Sequence, residues 1–207
     1  MLRNYFTIAW RNLLRQKAFA FINIFGLAVG MAFCILAYLY IQYEWSFDSF
    51  HDRAERIYRL NRVVEKYGDR EVSAMVSVPA GPDLVREFPE VEQAVRFRGP
   101  QEWTVRYEDQ SFNAQMLFAD PGIFSMFSFP QVAGDLQNAL GDKYGVVVSR
   151  KTARRLFGEE DPLGKRISTG WFGKVNDFVL TGVVEVPRNS TIQFDLLIPL
   201  QNWSDHD

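Results

Sequence analysis

Cysteine and histidine are nearly missing from this sequence. One cysteine, Cys34, occurs among 207 residues, so no intrachain disulfide forms and no pair of thiolates is available to a metal. Two histidines, His51 and His206, are too few for most metal centres. The spacings G-x-S-x-G and H-E-x-x-H are absent, and with them the turn that presents a nucleophile and the helix face that carries two metal-binding imidazoles. No internal repeat or low-complexity tract appears, which excludes a solenoid. The nearest approach to a phosphate-binding loop is GEEDPLGK over 158–165. It has five residues between its glycines where four are required, Arg166 stands in place of Ser or Thr, and its acids and proline oppose an anion. The residues therefore give no support to an enzyme, a cofactor or a resident metal. Basic residues beyond position 43 are interspersed with acids, which argues against nucleic acid as a partner.

What is present is a long run without charge. The chain is 47% apolar and 23% charged, the balance of a folded protein. From Ala18 to Tyr43 no charged residue occurs. At about 1.5 Å per residue a helix of that length reaches roughly 39 Å, more than the hydrocarbon core of about 30 Å. Tyr38, Tyr40, Tyr43, Trp45 and Phe47 form an aromatic belt at its far end. The spacing predicts a membrane-spanning helix, longer than the apolar region of a cleaved signal peptide and with no small-x-small site after it. Arg3, Arg11, Arg15 and Lys17 precede the run without an acid, and the chain beyond it carries a net −6 against −2 for the whole. Positive charge stays inside, so the N-terminus is expected in the cytoplasm of a cell inner (plasma) membrane and the C-terminal part outside.

Three layers follow: residues 1–17 as a basic amphipathic helix, 18–43 as the transmembrane helix, and 44–207 as a folded domain. In the first, Leu2, Tyr5, Phe6, Ala9, Trp10 and Leu13 recur at helical spacing opposite the polar side. Arg3, Trp10, Arg11 and Arg15 are the candidate residues for the inner membrane surface, with membrane lipid as partner. In the second, Gly26 and Gly30 form a G-x-x-x-G pair that Cys34 continues one turn on, so these three are the candidates for close helix packing. Cys34 reads as a small contact residue rather than a reactive thiol.

Beyond the span, short alternating stretches separated by turn signals predict an α+β fold. Trp103–Tyr107 and Phe112–Phe118 read as a hairpin around Glu108–Ser111. Gly145–Val148 reads as a buried strand, and Ser149 as the N-cap of a helix that Gly158 ends. The runs 178–184 and 192–198 are expected to pair or share a sheet, and 83–87 to form a short helix. Asp48, His51, Asp52 and Glu55 read as a solvated helix start rather than a cation site, because nothing completes a ligand set.

The order of several short motifs adds to this. They are Trp10-Arg11-Asn12-Leu13, the segment 22–30 (INIFGLAVG), Phe50-His51 through Arg56-Ile57-Tyr58-Arg59, Phe88-Pro89-Glu90-Val91 and FSMFSFP over 124–130. Gly134-Asp135 with Ala139-Leu140, the run from Val147 through Gly158 to Lys165, and Gly182-Val183 to Phe194-Asp195 complete the series. In this order the sequence resembles the permease subunits of MacB/FtsX-like ABC transporters, from their N-terminus through the MacB-like periplasmic core domain. The turn before Pro187 is a residue shorter than the family's and carries Glu185 where aspartate is common.

The resemblance implies an α+β extracytoplasmic domain attached to a single N-terminal transmembrane helix preceded by an amphipathic helix. It implies a noncatalytic permease subunit whose partner, a cytoplasmic ABC ATPase subunit, hydrolyses ATP, with a second permease copy or homologue beside it and an export or mechanotransmission event outside. Such permeases return to the membrane with further helices, so the chain is expected to be an N-terminal fragment. A signal-anchored sensor or interaction module without an ATPase is the other reading that one helix and one outer domain fit.

Overall fold

The computed structural model describes residues 5, 8, 10, 11, 15–66, 68–171 and 173–204, and divides between Phe47 and Asp48 into two units. In the first, α1 (Lys17–Trp45) is one 29-residue helix with no buried residue. It contains no proline and no charge between Ala18 and Tyr43, and at about 1.5 Å per residue it is roughly 43 Å long. Near its end Gln42 Nε2 donates to Tyr38 Oη at 2.9 Å, one turn back. Ser46 closes the helix, its N–H on Gln42 O and its hydroxyl on Tyr43 O at 2.7 Å.

The second unit is built on a mixed sheet. A hairpin of β1 (Arg62–Lys66) and β2 (Asp69–Ser73) stands apart as a two-stranded sheet, followed by α2 (Ala80–Glu87). Next come β3 (Phe97–Tyr107), β4 (Gln110–Ala119), α3 (Ile123–Met126), β5 (Gln131–Gly134) and β6 (Gly145–Ser149). The chain continues through α4 (Arg150–Phe157), β7 (Arg166–Trp171), β8 (Lys174–Val184), β9 (Leu196–Pro199) and α5 (Gln201–Ser204). The larger sheet has seven strands in the order β5-β8-β6-β9-β4-β3-β7. Because β7 also pairs with β8, six of them close into a ring and β5 extends one edge of β8.

Strand alternation sorts the core onto two faces. Met116, Phe118, Val146, Val148, Leu196 and Ile198 point to one cluster, which holds Trp171, Phe178 and Trp203 and is covered by Ala153, Leu156 and Phe157 of α4. Leu117, Ala119, Val147 and Leu197 point to the other, made with Ile123, Phe124, Phe127, Phe129 and Phe194. The long apolar runs of β6 and β9 are thus buried on both sides, as strands in the middle of a covered sheet must be.

The α+β class holds, with differences in detail. The hairpin is β3–β4, longer than read from the sequence and turned by Glu108 and Asp109, with Glu108 in the left-handed region at φ 50°. Gly145–Ser149 is buried throughout, Ser149 Oγ accepts from Thr152 N at 3.2 Å, and Gly158 ends α4 at φ 60°. The runs expected to pair or share a sheet do share one, with β6 between β8 and β9. Residues 192–195 also stay out of the strand: Asp195 Oδ2 accepts from Gln115 N and Oδ1 from Thr152 Oγ1, which ties β4 to the start of α4. The helix read at 83–87 begins earlier, at Ala80, since Pro82 falls in its first turn, where proline is tolerated.

Candidate functional site: the membrane helix and the turn that follows it

The face carrying Gly26 and Gly30 is open: a Cβ added to either would meet nothing within 4 Å. Cys34 is exposed on the same helix. At offsets of four these residues lie on one side of α1, the geometry that allows a neighbouring helix backbone to approach. Of the residues read as an inner-surface set, Trp10, Arg11 and Arg15 have helical backbone and are exposed, while Arg3 lies outside the described residues. Leu2, Phe6, Ala9 and Leu13 of the apolar stripe lie outside them as well.

Three residues past the end of α1 the chain enters the second unit through a tight turn. Asp48 takes a left-handed φ of 54°, a conformation that aspartate visits more readily than most residues. Its N–H donates to Asn189 O at 2.9 Å, and its Oδ1 accepts from Thr191 N at 2.9 Å. Two turns of chain later Asp52 N donates to Ser128 Oγ at 3.1 Å, and Ser128 Oγ donates to Asp52 Oδ2 at 3.0 Å. Five residues are therefore fastened to two separate loops, 187–191 and 127–129.

His51 is the centre of this turn. It is 5% exposed, and its Nδ1 accepts from Ser128 N at 3.1 Å. A ring nitrogen that accepts cannot carry the proton, so the neutral imidazole is protonated on Nε2. Nε2 is buried without a hydrogen-bond partner, 3.7 Å from Asp48 Oδ1. Phe50, Phe127 and Phe129 surround the ring with centroids at 4.1, 5.2 and 5.7 Å. Burial pushes the imidazole below its ordinary value, against the upward pull of Asp48 and Asp52.

The expectation of a solvated helix start at Asp48–Glu55 is thus overturned. The helix has already ended at Trp45, His51 is buried among aromatic rings, and Glu55 lies within a separate 3-10 turn at Ala54–Arg56. Among the described residues no three His, Cys, Asp or Glu side chains converge as a cation site. A sequence signal for the buried histidine did exist: Phe50 beside it, and the aromatic run FSMFSFP that supplies its partners. The GEEDPLGK stretch forms the cap of α4 and a turn in which Asp161 Oδ1 accepts from Leu163 N and Gly164 N donates to Leu180 O.

Glycines of the Gly134 and Gly182 motifs have an equally physical origin. They face each other across β5 and β8, and a Cβ on Gly134, at φ 84°, would lie 2.2 Å from Thr181 O.

The profile of the MacB-like periplasmic core domain matches residues 20–207. The chain belongs to the MacB-like periplasmic core domain family. A solved domain described as that of a permease protein from Porphyromonas gingivalis is 30% identical, with a TM-score of 0.57, covering 64% of this chain and 56% of that one. The extracellular domain of the noncanonic ABC-type transporter YknZ from Gram-positive bacteria is 20% identical over 54% of this chain and 56% of that chain, with a TM-score of 0.43. For the periplasmic region of MacB from Actinobacillus actinomycetemcomitans the values are 21%, 52%, 48% and 0.40. No curated protein matches. The chain spans about half the length of the solved relatives it matches. In this MacB-like chain one helix is long and apolar enough to cross a membrane, among the described residues.

Proposed function

We propose that this chain is the N-terminal part of a noncatalytic permease subunit of a MacB/FtsX-type ABC transporter. In this reading a cytoplasmic partner ATPase hydrolyses ATP, and the periplasmic core domain carries the resulting movement to an export or mechanotransmission event outside. The observation that supports it most is the family match, which runs without a break from the membrane-length helix into the core domain. Residues 1–17 lie on the cytoplasmic face, with Arg3, Trp10, Arg11 and Arg15 toward anionic lipid. Residues 18–43 cross the inner membrane, and 44–207 fold outside.

Gly26, Gly30 and Cys34 are the contact face for another membrane helix, from a second permease copy or homologue. The clamp at Asp48, His51 and Asp52 suits a mechanical role, because a pull on the chain after Trp45 reaches two loops of the core domain within seven residues.

The test is co-purification and ATP turnover. The intact reading frame, tagged and expressed with the ATPase encoded beside it, is expected to retain that ATPase and to change its rate of hydrolysis in lipid nanodiscs. If no ATPase is retained and no rate changes, the permease reading fails and an anchored interaction module takes its place.

A further inference from the structure

We propose that the turn at 48–52 is a proton-operated latch, closed while His51 is neutral and released when Nδ1 of His51 takes a proton from solvent. Ser128 N–H donates to His51 Nδ1 at 3.1 Å, so the bond exists only while Nδ1 has a free lone pair. A proton on Nδ1 would set one N–H against another in a site that is nearly closed to water. The ring must then turn or leave, and the Ser128 amide loses its acceptor.

What surrounds the ring favours such a response. The charged groups that face His51 are Asp48 and Asp52, both from its own turn. The 127–129 loop supplies Phe127, Ser128 and Phe129, all neutral. The loop that Asp48 binds supplies Asn189, Ser190 and Thr191, while Arg188 in the same loop is exposed. Both carboxylates are already engaged, Asp48 by Thr191 N and Asp52 by Ser128 Oγ. A charged His51 already has Asp48 Oδ1 3.7 Å from Nε2, and a carboxylate can accept from the ring and from Thr191 N together, so the attachment to the 187–191 loop persists. Protonation at one atom thus releases the turn from the 127–129 loop, while Asp48 keeps it on the 187–191 loop.

The presence of only two histidines makes the test direct. The full chain, labelled at its histidine rings and held in detergent micelles, is titrated by NMR, with His206→Gln assigning the signals. His51 is expected as the Nε2–H tautomer at neutral pH, with a midpoint below about 6.5, the ordinary imidazole value. Amide exchange supplies the second reading. Protection factors of Ser128 and Asp52 are expected to fall at least about tenfold through that midpoint, while Thr191 and Met116 to Phe118 in β4 keep theirs.

His51→Asn supplies the control, since its side-chain oxygen can take the Nδ1 position and accept from Ser128 without titrating. It should hold Ser128 protected at all these pH values. The proposal is overturned by an Nδ1–H tautomer, by the same pH dependence in His51→Asn, by Ser128 and Asp52 protection that stays unchanged through the His51 midpoint, or by simultaneous loss of β4 protection, which would mean global unfolding.

Discussion

Replacing Gly134 by alanine separates two costs that this fold imposes on the same residue. The first is dihedral: φ is 84°, and an L-residue in the left-handed region is destabilised by about 1–2 kcal/mol. The second is steric. The new Cβ would sit 2.2 Å from Thr181 O and 2.7 Å from Gly182 Cα, and since both are backbone atoms, β5 must move off β8. Losing that pairing brings the total to about 4 kcal/mol, in the range reserved for overpacked or broken core sites.

Gly158 and Gly182 isolate the parts. Gly158 has φ 60° with nothing near its added Cβ, so Gly158→Ala carries only the dihedral cost, about 1 kcal/mol. Gly182→Ala meets Leu136 Cδ2 at 2.9 Å, a side-chain atom that can shift, and falls between. For a domain of this size 1 kcal/mol corresponds to roughly 2–4 °C. Thermal melts of the full chain in detergent, followed by near-UV circular dichroism, should therefore place Gly134→Ala roughly 10 °C below wild type and Gly158→Ala about 3 °C below. Equal shifts for the two would refute the assignment of Gly134 to a close backbone contact.

Other perturbations test other parts. Asp120 takes Arg96 Nε at 2.8 Å, Nη2 at 2.9 Å and the Arg96 N–H at 2.9 Å, while Arg96 Nη1 reaches Val78 O at 3.3 Å. With the pair partly exposed, Asp120→Ala should destabilise the domain by about 2 kcal/mol, less than a fully buried pair, measured by guanidinium denaturation. Ser149→Ala removes the N-cap of α4 and should cost about 1 kcal/mol in the same assay. Stability should also depend on pH through His51. Its folded value is depressed while the unfolded imidazole titrates near 6.5, so the unfolded chain takes up the proton first. Stability is then full above about pH 6.5, falls as pH drops below it, and levels off once the folded ring protonates. His51→Asn should flatten that slope. If Gly26, Gly30 and Cys34 form the contact face with a second copy, mild oxidation should give a dimer through Cys34 that Gly30→Leu abolishes.

Residues whose role is local were legible in the sequence. Ser149 and Gly158 declare the ends of α4 because a cap needs only its own neighbours, and the uncharged run to Tyr43 needs only its length. Pairings between distant strands were not. That β6 lies between β8 and β9 follows from how the ring closes, and no local pattern in 178–184 or 192–198 carries it. The hairpin β1–β2 was unread because Val63 and Val72, its apolar cross-strand pair, are both exposed and the strands show no clean alternation. At the candidate site, acids around His51 suggested solvent. Its burial depends on Phe127 and Phe129, more than seventy residues away, and became visible only once those rings were placed beside it.

Sidedness of the membrane helix decides the account. In a Cys34→Ala background, single cysteines introduced as Arg15→Cys and Asp109→Cys are treated in intact spheroplasts with a membrane-impermeant maleimide. The account predicts that position 109 is labelled at once and position 15 only after the membrane is opened. Labelling of position 15 in intact spheroplasts, with position 109 protected, would contradict it.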